Sequence, residues 1–118
     1  MYARILIALA LLPPAWVAAA EPATTPVQFQ GRWASTRNQC NIPHEGRLTL
    51  YPDRVEFHES RGRILSVSSR GPLEIELHVE LTGEGETSHR VLRFVLSKDG
   101  RTLTDVTNRP PVARVHCD

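Results

Sequence analysis

Between Glu74 and Leu81 the chain alternates without a break. Glu74, Glu76, His78 and Glu80 occupy one set of positions, and Ile75, Leu77, Val79 and Leu81 the other. Successive side chains of a strand point to opposite faces, whereas a helix brings a residue back to the same face only after about 3.6 positions. The run is therefore a half-buried strand, and its apolar face needs a cover. The same period recurs in shorter pieces. Leu48 and Leu50 alternate with Arg47, Thr49 and Tyr51; Val55 and Phe57 with Glu56 and His58; Leu65 and Val67 with Ser66 and Ser68. Leu92, Phe94 and Leu96 face inward, with Arg93 outward.

Turn residues separate these pieces. Tyr51-Pro52-Asp53-Arg54, Ser60-Arg61-Gly62-Arg63, Gly71-Pro72, Thr82 to Thr87 and Ser97-Lys98-Asp99-Gly100 all read as turns or loops. Thr102 to Val106 is a further strand whose inward side the pattern does not assign. Asn108 to Pro111 is a loop, and Val112 to Cys117 closes the chain. Seven or eight short strands at roughly ten-residue spacing, with no helical apolar period, predict an all-β fold. Hairpin following hairpin favours a small antiparallel up-and-down barrel, because closure removes exposed edges. An interior of about eight strands is just filled by side chains, which predicts a packed core in place of a large ligand cavity.

The first 20 residues have the order of an export signal. Arg4 supplies a positive start, Ile5 to Leu12 an apolar stretch, Pro13-Pro14 a break, and Ala18-Ala19-Ala20 small residues before Glu21. The apolar stretch is far shorter than the roughly 20 residues that span a bilayer, so no transmembrane anchor is expected in the mature chain. The predicted organisation is a signal peptide over 1–20, an extended Pro/Thr-rich arm over 21–28 and a barrel over 29–118. Location in a bacterial periplasm or outside the cell follows. Losing Arg4 with the leader leaves 13 basic and 13 acidic side chains. That balance argues against nucleic acid or an anionic membrane as partner.

In an oxidising compartment the two cysteines, Cys40 and Cys117, allow a single bridge. It would close a loop of roughly 78 residues and contribute on the order of 4 kcal/mol. Two free thiols are the alternative. A metal site built on these two alone lacks further ligands.

Phe29-Gln30-Gly31-Arg32-Trp33 places a G-x-W on the first strand, and Arg114 lies on the last. This resembles the lipocalin-type (calycin) pattern. That resemblance implies a Trp closing one barrel end and a late Arg over its ring, with Gly31, Trp33 and Arg114 in those roles. In size the chain is similar to periplasmic inhibitor barrels of the alkaline metalloprotease inhibitor type, which have an N-terminal arm, a G-x-W and a nearby Cys. Here those are Glu21 to Gln28, Gly31, Trp33 and Cys40, while Cys117 departs from the pattern by lying at the far C-terminus. The chain also resembles small exported bacterial proteins with a G-x-W-A, a Cys soon after and a terminal Cys, a resemblance that implies no activity.

Candidate chemistry is sparse. Glu74, Glu76, His78 and Glu80 share a face, and His89 can join them from the next strand. They could hold a divalent ion or simply pair with charges across the sheet; a hairpin turning near Gly83-Gly85 sets Glu80 opposite His89 and Glu76 opposite Arg93. His44, His58 and His116 are isolated. No nucleophile elbow or phosphate loop is present, so no catalytic residue, metal or cofactor is assigned. Arg61, Arg63 and Arg70 form a basic cluster that is a solvated turn or a contact for an anionic partner. The expectation is a non-catalytic binding protein, such as an inhibitor of a secreted or envelope hydrolase. Its contacts would be the arm, Pro43, His44 and Glu45, Asn108 to Pro111, and Arg61 and Arg63. A small-ligand carrier or a structural envelope protein is the alternative.

Overall fold

The computed structural model describes residues 24–118. The expected leader and the start of the arm lie outside them. Eight strands follow in order: β1 (Gly31–Ala34), β2 (Leu48–Leu50), β3 (Arg54–Phe57), β4 (Arg61–Ser69), β5 (Glu74–Gly83), β6 (Glu86–Leu96), β7 (Thr102–Asp105) and β8 (Val112–Cys117). Each pairs antiparallel with its neighbours in sequence, and β8 returns to β1, so the sheet is a closed up-and-down barrel. The expected fold class is found.

The core is what the alternation selects. Ile75, Leu77 and Val79 of β5 and Leu92, Phe94 and Leu96 of β6 are buried, with Phe29, Trp33, Leu48, Leu50, Val55, Ile64 and Leu103. Leu103 settles which side of β7 faces inward. The hairpin register is also as expected, with Glu80 opposite His89 and Glu76 opposite Arg93.

Four local expectations fail, each for a physical reason. The second turn falls before Arg61, closed by the Phe57 N–H donating to the Ser60 carbonyl, so Arg61, Gly62 and Arg63 belong to β4. A bulge between Ile64 and Ser66 inserts one residue into β4 and reverses the phase. Ile64 and Val67 therefore pack on the core, and Leu65 turns outward. The stretch from Thr82 to Thr87 is no open loop. Gly83 pairs with Glu86, and the turn is only Glu84-Gly85, both with positive φ, as a two-residue hairpin requires. Finally, the end of the arm does not stay extended. Val27–Phe29 forms a 3-10 turn, Thr25 and Phe29 are buried, and Thr25 N–H donates to the Pro52 carbonyl.

Up-and-down order gives the barrel two mouths. The arm and the turns at 51–53, 70–73 and 97–101 crowd one, which we term the entry mouth; the connections at 35–47, 58–60, 84–85 and 106–111 crowd the other, the far mouth. Phe29 seals the entry side, and Trp33 Nε1–H donates to its carbonyl at 3.0 Å. The disulfide Cys40–Cys117 is formed, with Cα atoms 5.6 Å apart. Cys40 is not on the first strand. It follows a 3-10 turn, Arg37–Gln39, inside the long β1–β2 connection. The bond thus fastens that connection to β8, the last strand. No helix among the described residues is long and apolar enough to cross a membrane.

Candidate binding surface

The far mouth is closed by a buried ion pair. Inward positions on β8 carry Arg114, which is only 6% exposed. Its Nε–H donates to the Gly46 carbonyl, its Nη1 lies 3.6 Å from Asp105 Oδ2, and the guanidinium stands 6.0 Å from the Phe57 ring centre. Burial pulls the Arg114 pKa down, and the Asp105 carboxylate opposes that shift. The expected stacking of Arg114 on Trp33 is replaced by this contact with Phe57. The partner of the Trp33 ring is His116, edge to face at 4.7 Å. Gly31 has φ +121°, and a Cβ there would sit 2.7 Å from His116 Nε2. The G-x-W thus has a local cause: the glycine makes room for an imidazole that packs on the tryptophan.

The β1–β2 connection is held at several points besides its disulfide. Arg32 donates to the Cys40 carbonyl at 2.8 Å. His44 Nε2 accepts from the Ser35 N–H, which leaves Nδ1–H to donate to the Ile42 carbonyl at 2.9 Å. His44 is therefore spent on the loop itself. Pro43 and Glu45 are exposed, as the sequence reading requires of contact residues. Ile42, absent from that reading, is 56% exposed despite its bulk. Only its place in a covalently fastened loop distinguishes it from an ordinary loop apolar residue.

Beneath the loop lies a surface depression of about 470 Å³. It shares Arg47 and His58 with a second depression over the β3–β4 turn, which in turn reaches Arg61 and Thr82. Those two also border a third, between Arg54 and Arg63. Together they form one band from Ile42 around the far mouth to Arg63. Within it, Arg47 Nε and His58 Nδ1 are enclosed and have no hydrogen-bond partner among the described residues.

The remaining candidates are distributed elsewhere. The arm sits at the entry mouth, opposite the 43–45 loop and Asn108 to Pro111, so it does not share a surface with them. Arg63 faces Glu80 at 3.3 Å, and Arg70 faces Glu74 at 3.9 Å. On the acidic face of β5, Glu76 Oε2 accepts from Arg93 Nε–H at 2.8 Å, and the other oxygen lies 3.4 Å from His78 Nε2. The Arg93 hydrogen bond, aided by His78, holds the Glu76 carboxyl below the usual glutamate range. His78 and His89 rings stand 5.7 Å apart. No group of three or more His, Cys, Asp or Glu side chains arranged to share a metal occurs among the described residues.

No protein-family model, curated protein or solved structure matches the chain.

Proposed function

We propose that this chain is an exported, non-catalytic binding protein whose partner is a secreted or envelope protein. The observation that carries this is the β1–β2 loop. It is fastened by the Cys40–Cys117 bond and by its own hydrogen bonds, yet exposes Ile42 and Pro43 beside a band of polar-lined surface depressions. Loops held on a rigid scaffold are where binding usually resides, and preorganisation reduces the entropy cost of docking. Export is supported by the leader-like first 20 residues, and the disulfide fits an oxidising compartment.

The resemblance of Gly31, Trp33 and Cys40 to periplasmic inhibitor barrels narrows the partner class to a hydrolase, with the loop as the inhibitory element. The placement of Arg114 on Phe57 departs from the calycin pattern and leaves Gly31 and Trp33 as the carriers of that resemblance. A calycin-type carrier needs interior space, and Phe29, Trp33, Phe94 and the aliphatic core side chains fill this barrel; binding at the outer band is favoured for that reason.

The test is capture from periplasmic and secreted extract on immobilised exported chain, followed by an activity assay of each retained hydrolase. Inhibition by the native chain, lost in Ile42→Asp, is the expected result. Capture unchanged by that substitution removes the loop from the contact, and retention without inhibition removes the inhibitor role.

A further inference from the structure

β6 is longer than the strand beside it. β7 pairs with β6 only from Phe94 to Leu96, and beyond that Val106 and Thr107 reach Arg93 alone. From Glu86 to Leu92 the side of β6 away from β5 has no strand against it among the described residues. The direction of its main-chain groups follows from Arg93, whose carbonyl accepts from Val106 N–H and whose N–H donates to Thr107 Oγ1, both on that side. Every second residue shares that direction. The N–H and C=O groups of Thr87, His89 and Val91 therefore point out of the barrel wall. The closed sheet thus leaves this stretch of β6 with an unpaired edge, on an exposed ribbon.

Open edges are normally blunted by bulges, prolines or lysines. The free edge of β4 at the opposite mouth carries the Ile64/Ser66 bulge. The β6 edge, Glu86-Thr87-Ser88-His89-Arg90-Val91-Leu92, has none of these devices. It has instead one acidic and one basic residue, equally spaced about Ser88. Neither Glu86 nor Arg90 has an ion-pair partner among the described residues.

We propose that a second copy of this chain pairs with this edge, β6 to β6, antiparallel, with Ser88 opposite Ser88. In that register Thr87 of each copy exchanges both main-chain hydrogen bonds with His89 of the other, and Glu86 of each copy faces Arg90 of the other. The paired stretch ends at Val91, before Thr107 caps the edge. No other register that pairs only strand residues makes this match; sliding toward the turn would set Arg90 against Glu84, which has positive φ in the turn and does not continue the strand. Sliding the other way sets Glu86 opposite Leu92 and Arg90 opposite Ser88; a further step sets Arg90 against Arg90. The charges together with the turn at Glu84-Gly85 thus select one pairing, and the two-fold axis uses the charges twice.

Sedimentation equilibrium of the exported chain tests this. A dimer with a dissociation constant below about 1 mM is expected. Arg90→Glu alone and Glu86→Arg alone weaken it by about tenfold or more, because each puts two like-charge pairs across the axis. The double exchange, Glu86→Arg with Arg90→Glu, regains the native constant, which a general loss of folding cannot do. His89→Pro removes an outward N–H without touching the β5 ladder and abolishes the dimer. A native chain that stays monomeric at about 1 mM overturns the proposal. So does a double exchange no tighter than the singles, or a His89→Pro chain that still dimerises.

Discussion

Gly31 and His116 occupy one space. The glycine holds φ +121° on β1, and the imidazole of β8 lies where its Cβ would project, 2.7 Å from Nε2. Two separate costs meet at this position. Gly31→Ala forces an L-residue into a backbone region that disfavours it, and it pushes His116 off the Trp33 ring. The expected loss is about 3 kcal/mol, read as a shift of the urea midpoint. Adding His116→Ala returns only the steric part, so the pair of variants separates backbone strain from crowding. Equal stability of Gly31→Ala and the native chain contradicts the assignment.

The Cys40–Cys117 bond spans 77 positions of sequence. In the chain-entropy account its removal costs on the order of 4 kcal/mol. The bond also fastens the β1–β2 connection onto the last strand, so its loss should be felt locally first. Replacing both cysteines by serine is expected to lower the urea midpoint strongly and to raise amide exchange from Arg37 to Asn41 before the rest of the barrel. Uniform exchange with a loss below about 1 kcal/mol would show that the bond constrains little.

The period-two pattern carries the long strands because one misplaced residue there would turn several apolar side chains into water. Ile75, Leu77 and Val79, and Leu92, Phe94 and Leu96, leave no second solution, and their hairpin register follows from the turn between them. Ile64, Leu65 and Val67 offer no such constraint. All three are apolar, so the extra residue of a bulge leaves no trace in the pattern, and Leu65 is read inward when it faces out. The Arg61-Gly62-Arg63 run has turn chemistry but sits in a strand. At the binding surface, Pro43 and Glu45 are legible as loop residues, whereas the contact between Arg114 and the Gly46 carbonyl joins positions 68 apart in sequence. Distant side-chain partners leave no local signal, so nothing in the sequence around Arg114 points to the Phe57 ring.

Arg114 and Asp105 form an ion pair whose side chains are 7% and 16% exposed. Removing one partner leaves the other buried and uncompensated, at a cost of about 3–5 kcal/mol. Asp105→Ala is expected to reach that range, since Asp105 also accepts the Thr107 N–H at 2.9 Å and so anchors the loop that follows β7. Arg114→Met keeps much of the stem's packing near Phe57 and removes the charge. A double-mutant cycle of Asp105→Asn with Arg114→Met measures the coupling. The double variant should be more stable than the sum of the single losses allows, and strict additivity would mean that the charges do not interact.

Glu76 gives the fold a defined response to acid. The Arg93 hydrogen bond, with His78 assisting, lowers its pKa in the folded chain. A depressed carboxyl contributes stability above the ordinary glutamate pKa and loses it as pH falls through the lower folded value. Glu76→Gln is therefore expected to destabilise the chain at neutral pH and to flatten the fall in stability on the acid side. Arg93→Ala should move the carboxyl back toward the ordinary glutamate value, read directly from the side-chain carbon shift of Glu76 in a pH titration. A Glu76 titration that does not change when Arg93 is removed would assign the depression to another neighbour, and His78→Ala would then be the substitution that raises it.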